Sequence, residues 1–324
     1  MKVLVTGATG FVGGHLVKRL MDDGYSVRVL VRKGRNVKGF DRKVEVVYGD
    51  IVDPASLDNA ILNVDTVYHS AAMVKEAGVP DSLFWDVNVK GTENLLETSH
   101  RRGVKRFINI STCGVHGDIK NPPAKEDSPF NPEDIYQETK IEGEKIARSF
   151  DEKGLPVVII RPAGVYGPGD KRIYKLFKLI KERKFFMVGD GKTFLHLVYI
   201  DDLIDSIILA GEVEGAEGEA FLIGGERYLK LNELVKIIAE TIGVPLRRLR
   251  IPVFPVRLLA MVMEFTFKPL RIEPPLFRRR VDFFTKNRAF DISKAKRILG
   301  YSPKVDIEDG IRLTIDWYKR EGLL

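Results

Sequence analysis

The chain has 324 residues, 44% hydrophobic and 30% charged. That excludes disorder, a collagen-like chain or a disulfide scaffold, and suits one large α/β unit or two packed domains. One cysteine, Cys113, excludes an intrachain disulfide and fits a cytoplasmic setting. The net charge of +7 is local, since residues 247–297 hold 14 Lys/Arg against 4 Asp/Glu; such basicity suits a phosphorylated ligand, an anionic membrane surface, nucleic acid or simply a solvated face.

Lys2–Thr6 reads as a buried parallel strand, followed by a glycine-rich turn at Gly7–Gly13 and a helix through Val12, Leu16, Leu20 and Met21. Further strands are expected at Ser26–Val31, Val44–Tyr48, Asp65–His69, Arg106–Ile110 and Val157–Ile160. Helices are expected at Leu57–Leu62, Phe84–Arg102 and Pro132–Phe150. This alternation predicts βαβ units and a parallel sheet. Beyond Arg161 the pattern loosens. Tyr174–Arg183 looks helical, Leu197–Ala210 is a strand end and helix, Ala220–Ile223 a late strand and Leu231–Ile242 an amphipathic helix. The expected organisation is a doubly wound Rossmann-type α/β domain over residues 1–163 and about 196–225. About 164–195 and 226–324 should form a smaller substrate-binding lobe. No segment reads as a signal peptide or a spanning helix. The most apolar stretch, Ile251–Phe267, is broken by Pro252, Pro255, Arg257 and Glu264.

Gly7-Ala-Thr-Gly10-Phe-Val-Gly13 follows a strand and opens a helix. Glycine lets backbone approach a pyrophosphate, and the helix N-terminus offers free N–H groups. Gly7, Thr9, Gly10, Phe11, Val12 and Gly13 are therefore candidate dinucleotide contacts. NAD sites usually carry a carboxylate after the second strand. Here Val31 is followed by Arg32-Lys33, and a guanidinium pairs with a 2′-phosphate, so NADP is expected, with NAD the alternative. After the third strand come Asp50 and Ile51; Asp50 reads either as an acceptor for an adenine amino group or as a helix N-cap. Ala71 and Ala72 leave room for the cofactor.

Tyr136 and Lys140 stand at i and i+4, on one helix face. A nearby cation favours phenolate, so the tyrosine can exchange a proton with a carbinol oxygen. The preceding strand ends at Ser111-Thr112, whose hydroxyl can hold the same oxygen. Ligands sit at such strand ends. Cys113 reads as a packing residue. No metal-ligand set and no RNA-recognition aromatics stand out.

These pieces, with HSAA at 69–72, NVKGTENLLE at 88–97, RPAGVYGPGD at 161–170, YIDDL at 199–203 and DISKAKRILGYSPK at 291–304, resemble an extended short-chain dehydrogenase/reductase of the epimerase/dehydratase superfamily. The resemblance implies Tyr136 as proton donor and acceptor, Lys140 on the nicotinamide ribose, and Thr112 as the second hydroxyl of the family's stretch with Ser111 the first. It also implies Asn88 beside the cofactor, Pro162 to Val165 along the nicotinamide, and a homodimer. His116 departs from the usual tyrosine and reads as an aromatic replacement near the surface.

Sugar-nucleotide members carry asparagine and arginine ligands where this chain has Gly164, Leu195, His196 and Leu197. The look is nearer dihydroflavonol reductases and 3β-hydroxysteroid dehydrogenases. The main expectation is an NAD(P)-dependent oxidoreductase interconverting a secondary alcohol and a ketone on a small-molecule substrate. The alternatives are a sugar-nucleotide epimerase or dehydratase, with Arg288 replacing a lost substrate ligand, and a nucleotide-sensing protein. Ile251–Arg280 fits a greasy substrate, a peripheral membrane contact or a lobe-packing helix.

Overall fold

The computed structural model describes residues 1–37, 39–74, 79–247, 249–267, 276 and 278–324. Seven short apolar runs, each ended by a polar or glycine-containing turn, line up as one parallel sheet. They are β1 (Lys2–Thr6), β2 (Ser26–Val31), β3 (Glu45–Tyr48), β4 (Thr66–His69), β5 (Arg106–Ile110), β6 (Val157–Pro162) and β11 (Ala220–Ile223), ordered β11-β6-β5-β4-β1-β2-β3. Outside the sheet, β7 (Gly164–Tyr166) pairs with β10 (Leu197–Tyr199), β8 (Met187–Val188) with β13 (Arg250–Ile251), and β9 (Phe194–Leu195) with β12 (Leu229–Lys230).

The helices are α1 (Phe11–Asp22), α2 (Pro54–Ile61), α3 (Asp81–Trp85), α4 (Gly91–Arg101), α5 (Ile135–Glu152) and α6 (Tyr174–Lys181). Then come α7 (Ile200–Glu212), α8 (Leu231–Ile242), α9 (Val253–Phe267), α10 (Arg278–Thr285), α11 (Ser293–Leu299) and α12 (Ile307–Arg320). Both sheet faces are covered. Val3, Val5, Ile108, Ile110, Val158 and Ile160 pack with α1 and α7, while their strand neighbours Leu4, Phe107, Val157 and Ile159 pack under α2, α4 and α5. Continuous apolar strands follow from such double burial. The doubly wound parallel sheet is thus the expected fold.

Several strand and helix ends shift by one to three residues, and three of the helix differences have a clear local reason. Asp53 caps α2 by accepting from the Ala55 N–H at 3.2 Å, so that helix begins at Pro54, and Asp50 accepts from Val52 N instead of capping it. Asp134 caps α5 through Gln137 N at 3.0 Å, delaying its start past Pro132. The single helix expected over Phe84–Arg102 is broken by a wide turn at Asp86–Lys90, which carries Asn88 inward. Gly91 lets α4 approach β3's following loop, since a Cβ there would stand 2.7 Å from Ile51 Cγ1. In the basic stretch, Arg248, residues 268–275 and Phe277 lie outside the described residues.

Candidate active site

Strand order brings the C-terminal ends of β6, β5, β4 and β1 side by side, and the candidate residues follow those ends. Gly7 has φ +71°, and a Cβ on it would stand 2.7 Å from Ala71 N, so the loop after β1 lies directly on the chain leaving β4. A Cβ on Gly13 would fall 2.2 Å from Gly7 O, which seats the first turn of α1 against the loop. Thr9 and Gly10 are exposed, Phe11 and Val12 are half-buried, and Gly10 puts no side chain over the helix N-terminus. An exposed helix start that only glycine can pack this closely is a cradle for an anionic pyrophosphate. The residues present therefore fit a dinucleotide.

Arg32 is exposed just past β2, and Asp50 is half-buried past β3. The Ile51 side chain is buried, so only its backbone faces that edge. Ala71 and Ala72 are half-buried, and Ala71 N donates to Thr6 Oγ1 at 3.3 Å. Asn88 is fully buried and spends its amide internally. Its Oδ1 accepts from Met73 N at 2.7 Å, and its Nδ2 donates to Met73 O and Thr139 Oγ1, both at 3.0 Å. It clamps the 71–73 segment to α5 rather than presenting its amide to a ligand.

Thr112 caps the short turn Cys113–His116, its Oγ1 accepting from Gly114 N at 3.0 Å. With one lone pair so engaged, the hydroxyl proton is left to donate. A Cβ on Gly114 would lie 3.2 Å from Thr112 Oγ1 and 3.5 Å from Gln137 Nε2, so Thr112 adjoins the first turn of α5. Tyr136 is half-buried on that turn. One turn on, Lys140 is 2% exposed and donates from Nζ to Ile110 O at 2.8 Å, at the end of the strand that delivers Thr112. Burial pushes its ammonium down to about 8, against a smaller upward pull from Glu144. The strand end and the helix therefore bring Thr112, Tyr136 and Lys140 together. Ser111 does not join them; its Oγ is enclosed, with no hydrogen-bond partner among the described residues. Pro162 is buried, and Val165 is half-buried with its carbonyl accepting from Arg172 at 2.9 Å. Arg288 is half-buried and bridges to Leu195, its N–H donating to Phe194 O at 2.8 Å.

Sequence reasoning missed the support beneath this set. Glu144, one turn beyond Lys140, holds Arg161 of β6 through contacts of 2.6 and 3.1 Å, both side chains 1% exposed. Arg161 also donates to Glu126 O at 2.9 Å and meets His116 Nε2 at 3.3 Å. His116 is 2% exposed, not near the surface; its other ring nitrogen faces Pro129 O, which makes Nε2 the acceptor for Arg161. The available signal was an arginine ending an otherwise apolar strand. Cys113 is buried as expected; its Sγ donates to Arg161 O at 2.9 Å, and burial pushes the thiol well up.

A match to the description "NAD dependent epimerase/dehydratase family" covers residues 3–224. The chain belongs to that family. It is 30% identical to the sterol-4-alpha-carboxylate 3-dehydrogenase (decarboxylating) of Candida albicans, over 98% of each chain. It is 31% identical to the 3-beta-hydroxysteroid dehydrogenase of Mycolicibacterium neoaurum, over 98% of this chain and 91% of that one. The structure matches UDP-glucuronic acid 4-epimerase from Bacillus cereus in complex with NAD at TM-score 0.79 and 27% identity, over 99% of both chains. The expected extended short-chain dehydrogenase/reductase family and oxidoreductase class are therefore established.

Three of the family member's five histidines are buried and held neutral: His69 is pushed down to about 3 chiefly by burial, and His116 and His196 are also lowered by it. His69 bridges Thr6 and Thr92 at 2.8 and 3.0 Å. Unfolding frees these rings to take protons below their ordinary value near 6.5, so stability should fall as pH drops from about 6.5 towards 3. The His69 share at the acid end is roughly 4 kcal/mol. Urea midpoints measured across that window should slope downward, and His69→Gln should flatten the slope; a midpoint constant down to pH 5 contradicts the assignment.

Proposed function

We propose that this oxidoreductase prefers NADP and interconverts a secondary alcohol and a ketone on an apolar small molecule. The observation that carries the reading is Lys140, buried on Ile110 O, on the helix of Tyr136 and at the strand end of Thr112. The bound nicotinamide supplies hydride exchange. Thr112 donates a hydrogen bond to the substrate oxygen and fixes its direction. Tyr136 gives that oxygen a proton in reduction and takes it back in oxidation. Lys140 favours the phenolate electrostatically. Gly7 to Gly13 hold the pyrophosphate, Arg32 takes the 2′-phosphate, and Asp50 receives from adenine. Ile51, Ala71 and Ala72 wall the cofactor, and Pro162 and Val165 border the nicotinamide.

An apolar substrate is supported by what occupies the diphosphate positions. Leu195 is buried, and His196 is spent on Gly225 O at 2.9 Å and stacked on Phe290. We assign the cofactor to residues 1–163 and about 196–225. The substrate takes about 164–195 and 226–324, supported by β11 rejoining the sheet while β8–β13 and β9–β12 pair outside it. The buried thiol of Cys113, the chain's one cysteine, supports a cytoplasmic setting.

Ketone panels with NADPH should show net loss of nicotinamide absorbance. Arg32→Asp should reduce or invert the preference for NADP over NAD; wild-type protein binding NAD more tightly in calorimetry overturns that part. A sugar-nucleotide epimerase is the second reading, favoured by Arg288 lying beside Leu195, where such enzymes carry arginine. It predicts no net absorbance change, and micromolar UDP-glucose binding lost in Arg288→Ala.

A further inference from the structure

Helix α9 is apolar on two opposite sides. Val256, Ala260 and Met263 follow i, i+4, i+7 spacing; Ala260 is fully buried, the other two half-buried, and this side packs on the protein. The opposite side carries Phe254, Leu258, Met261, Val262 and Phe265, all exposed, with Phe254 at 79% and Phe265 at 83%. A helix that only packed inward would turn polar residues to that outer side. One exposed leucine is ordinary, but a contiguous row of five large apolar side chains marks a binding surface.

The charge around this row says what covers it. Arg257 lies on the helix, and Arg247 and Arg250 just before it. All three are exposed, and none forms an ion pair among the described residues. The helix has one acid, Glu264, within a 51-residue stretch holding 14 Lys/Arg and 4 Asp/Glu. Two copies meeting here would press like charges together, whereas an anionic surface would neutralise them.

We propose that α9 docks the protein on an anionic lipid surface, with Phe254, Leu258, Met261 and Phe265 in the interface and the arginines on headgroup phosphates. The 15-residue helix rises about 22 Å, short of a hydrocarbon core of roughly 30 Å. Its inner side is held on the protein at Ala260, so it lies along the interface plane with only the outer row inserted; no helix among the described residues is long and apolar enough to cross a membrane.

Flotation of the full chain with phosphatidylcholine vesicles, with and without about one third phosphatidylglycerol, tests this. The protein should float with the anionic vesicles and bind neutral ones about tenfold or more weakly, with high salt releasing it. Phe254→Ser with Phe265→Ser should cut binding about tenfold or more. Both side chains are exposed, so thermal melting should not move. Arg257→Glu should weaken anionic binding alone. Equal binding to both vesicles, wild-type binding by the double variant, or a dimer that the double variant converts to monomer without vesicle binding each overturns the proposal. Vesicle binding is read without turnover, so a protein that reduces apolar ketones yet ignores vesicles overturns the docking face and leaves the proposed reaction standing.

Discussion

Tyr136→Phe is expected to lower turnover by about 10²–10⁴-fold, the usual contribution of a positioned acid–base group. The substitution keeps the ring and removes only the transferable proton. The Asp134 cap that starts α5 and the Lys140 contact to Ile110 O do not involve the phenol oxygen, so the helix should stay in place. NADPH affinity should remain near wild type in calorimetry while the single-turnover rate falls. The pH profile provides a second check. The ammonium of Lys140, pushed down to about 8 mainly by burial, is charged below that pH and loses its charge above it. Wild-type rate should therefore carry a limb near that value, and Tyr136→Phe should lose it because no phenol remains for the cation to tune. Wild-type turnover in the variant would remove Tyr136 from the chemistry.

Strands bounded by glycine or charge were readable to the residue: Lys2–Thr6, Ser26–Val31, Arg106–Ile110 and Ala220–Ile223 stand where their apolar runs begin and end. Helix starts were not, because Asp53 and Asp134 set them by capping and either carboxylate could equally have been a surface group. The turn at Asp86–Lys90 is invisible to periodicity, since what opens it is contact with Met73 and Thr139 from other elements. Site legibility divides the same way. Tyr136 and Lys140 share a helix, and spacing alone pairs them. Asn88 looked like a ligand because its motif sits by the cofactor, yet its amide is consumed in holding a loop. His116 looked peripheral because its slot usually holds an aromatic; burial and an arginine partner make it a neutral acceptor instead.

Arg161→Met should cost about 3–5 kcal/mol, because it leaves the Glu144 carboxylate, at 1% exposure, without its ion-pair partner. A buried pair need not itself be strongly stabilising, since withdrawing two charges from water offsets most of their attraction. Removing both partners tests that directly. Arg161→Met with Glu144→Leu should recover much of the loss in urea midpoint, short of what the orphaned Glu126 carbonyl and His116 ring still cost. Catalysis should not recover with it. The Glu144 carboxylate is the one charge that raises Lys140 against its burial, so without it the ammonium titrates lower. The cation beside Tyr136 would then be lost below pH 8 rather than near it, and the alkaline limb of kcat should move to lower pH in the double variant and in Glu144→Gln alone. Glu144→Gln keeps the shape of the side chain, so a shifted limb at near-normal cofactor affinity separates this electrostatic role from simple loss of fold. An unshifted limb in Glu144→Gln would mean that the buried pair only joins β6 to α5 and leaves Lys140 untuned.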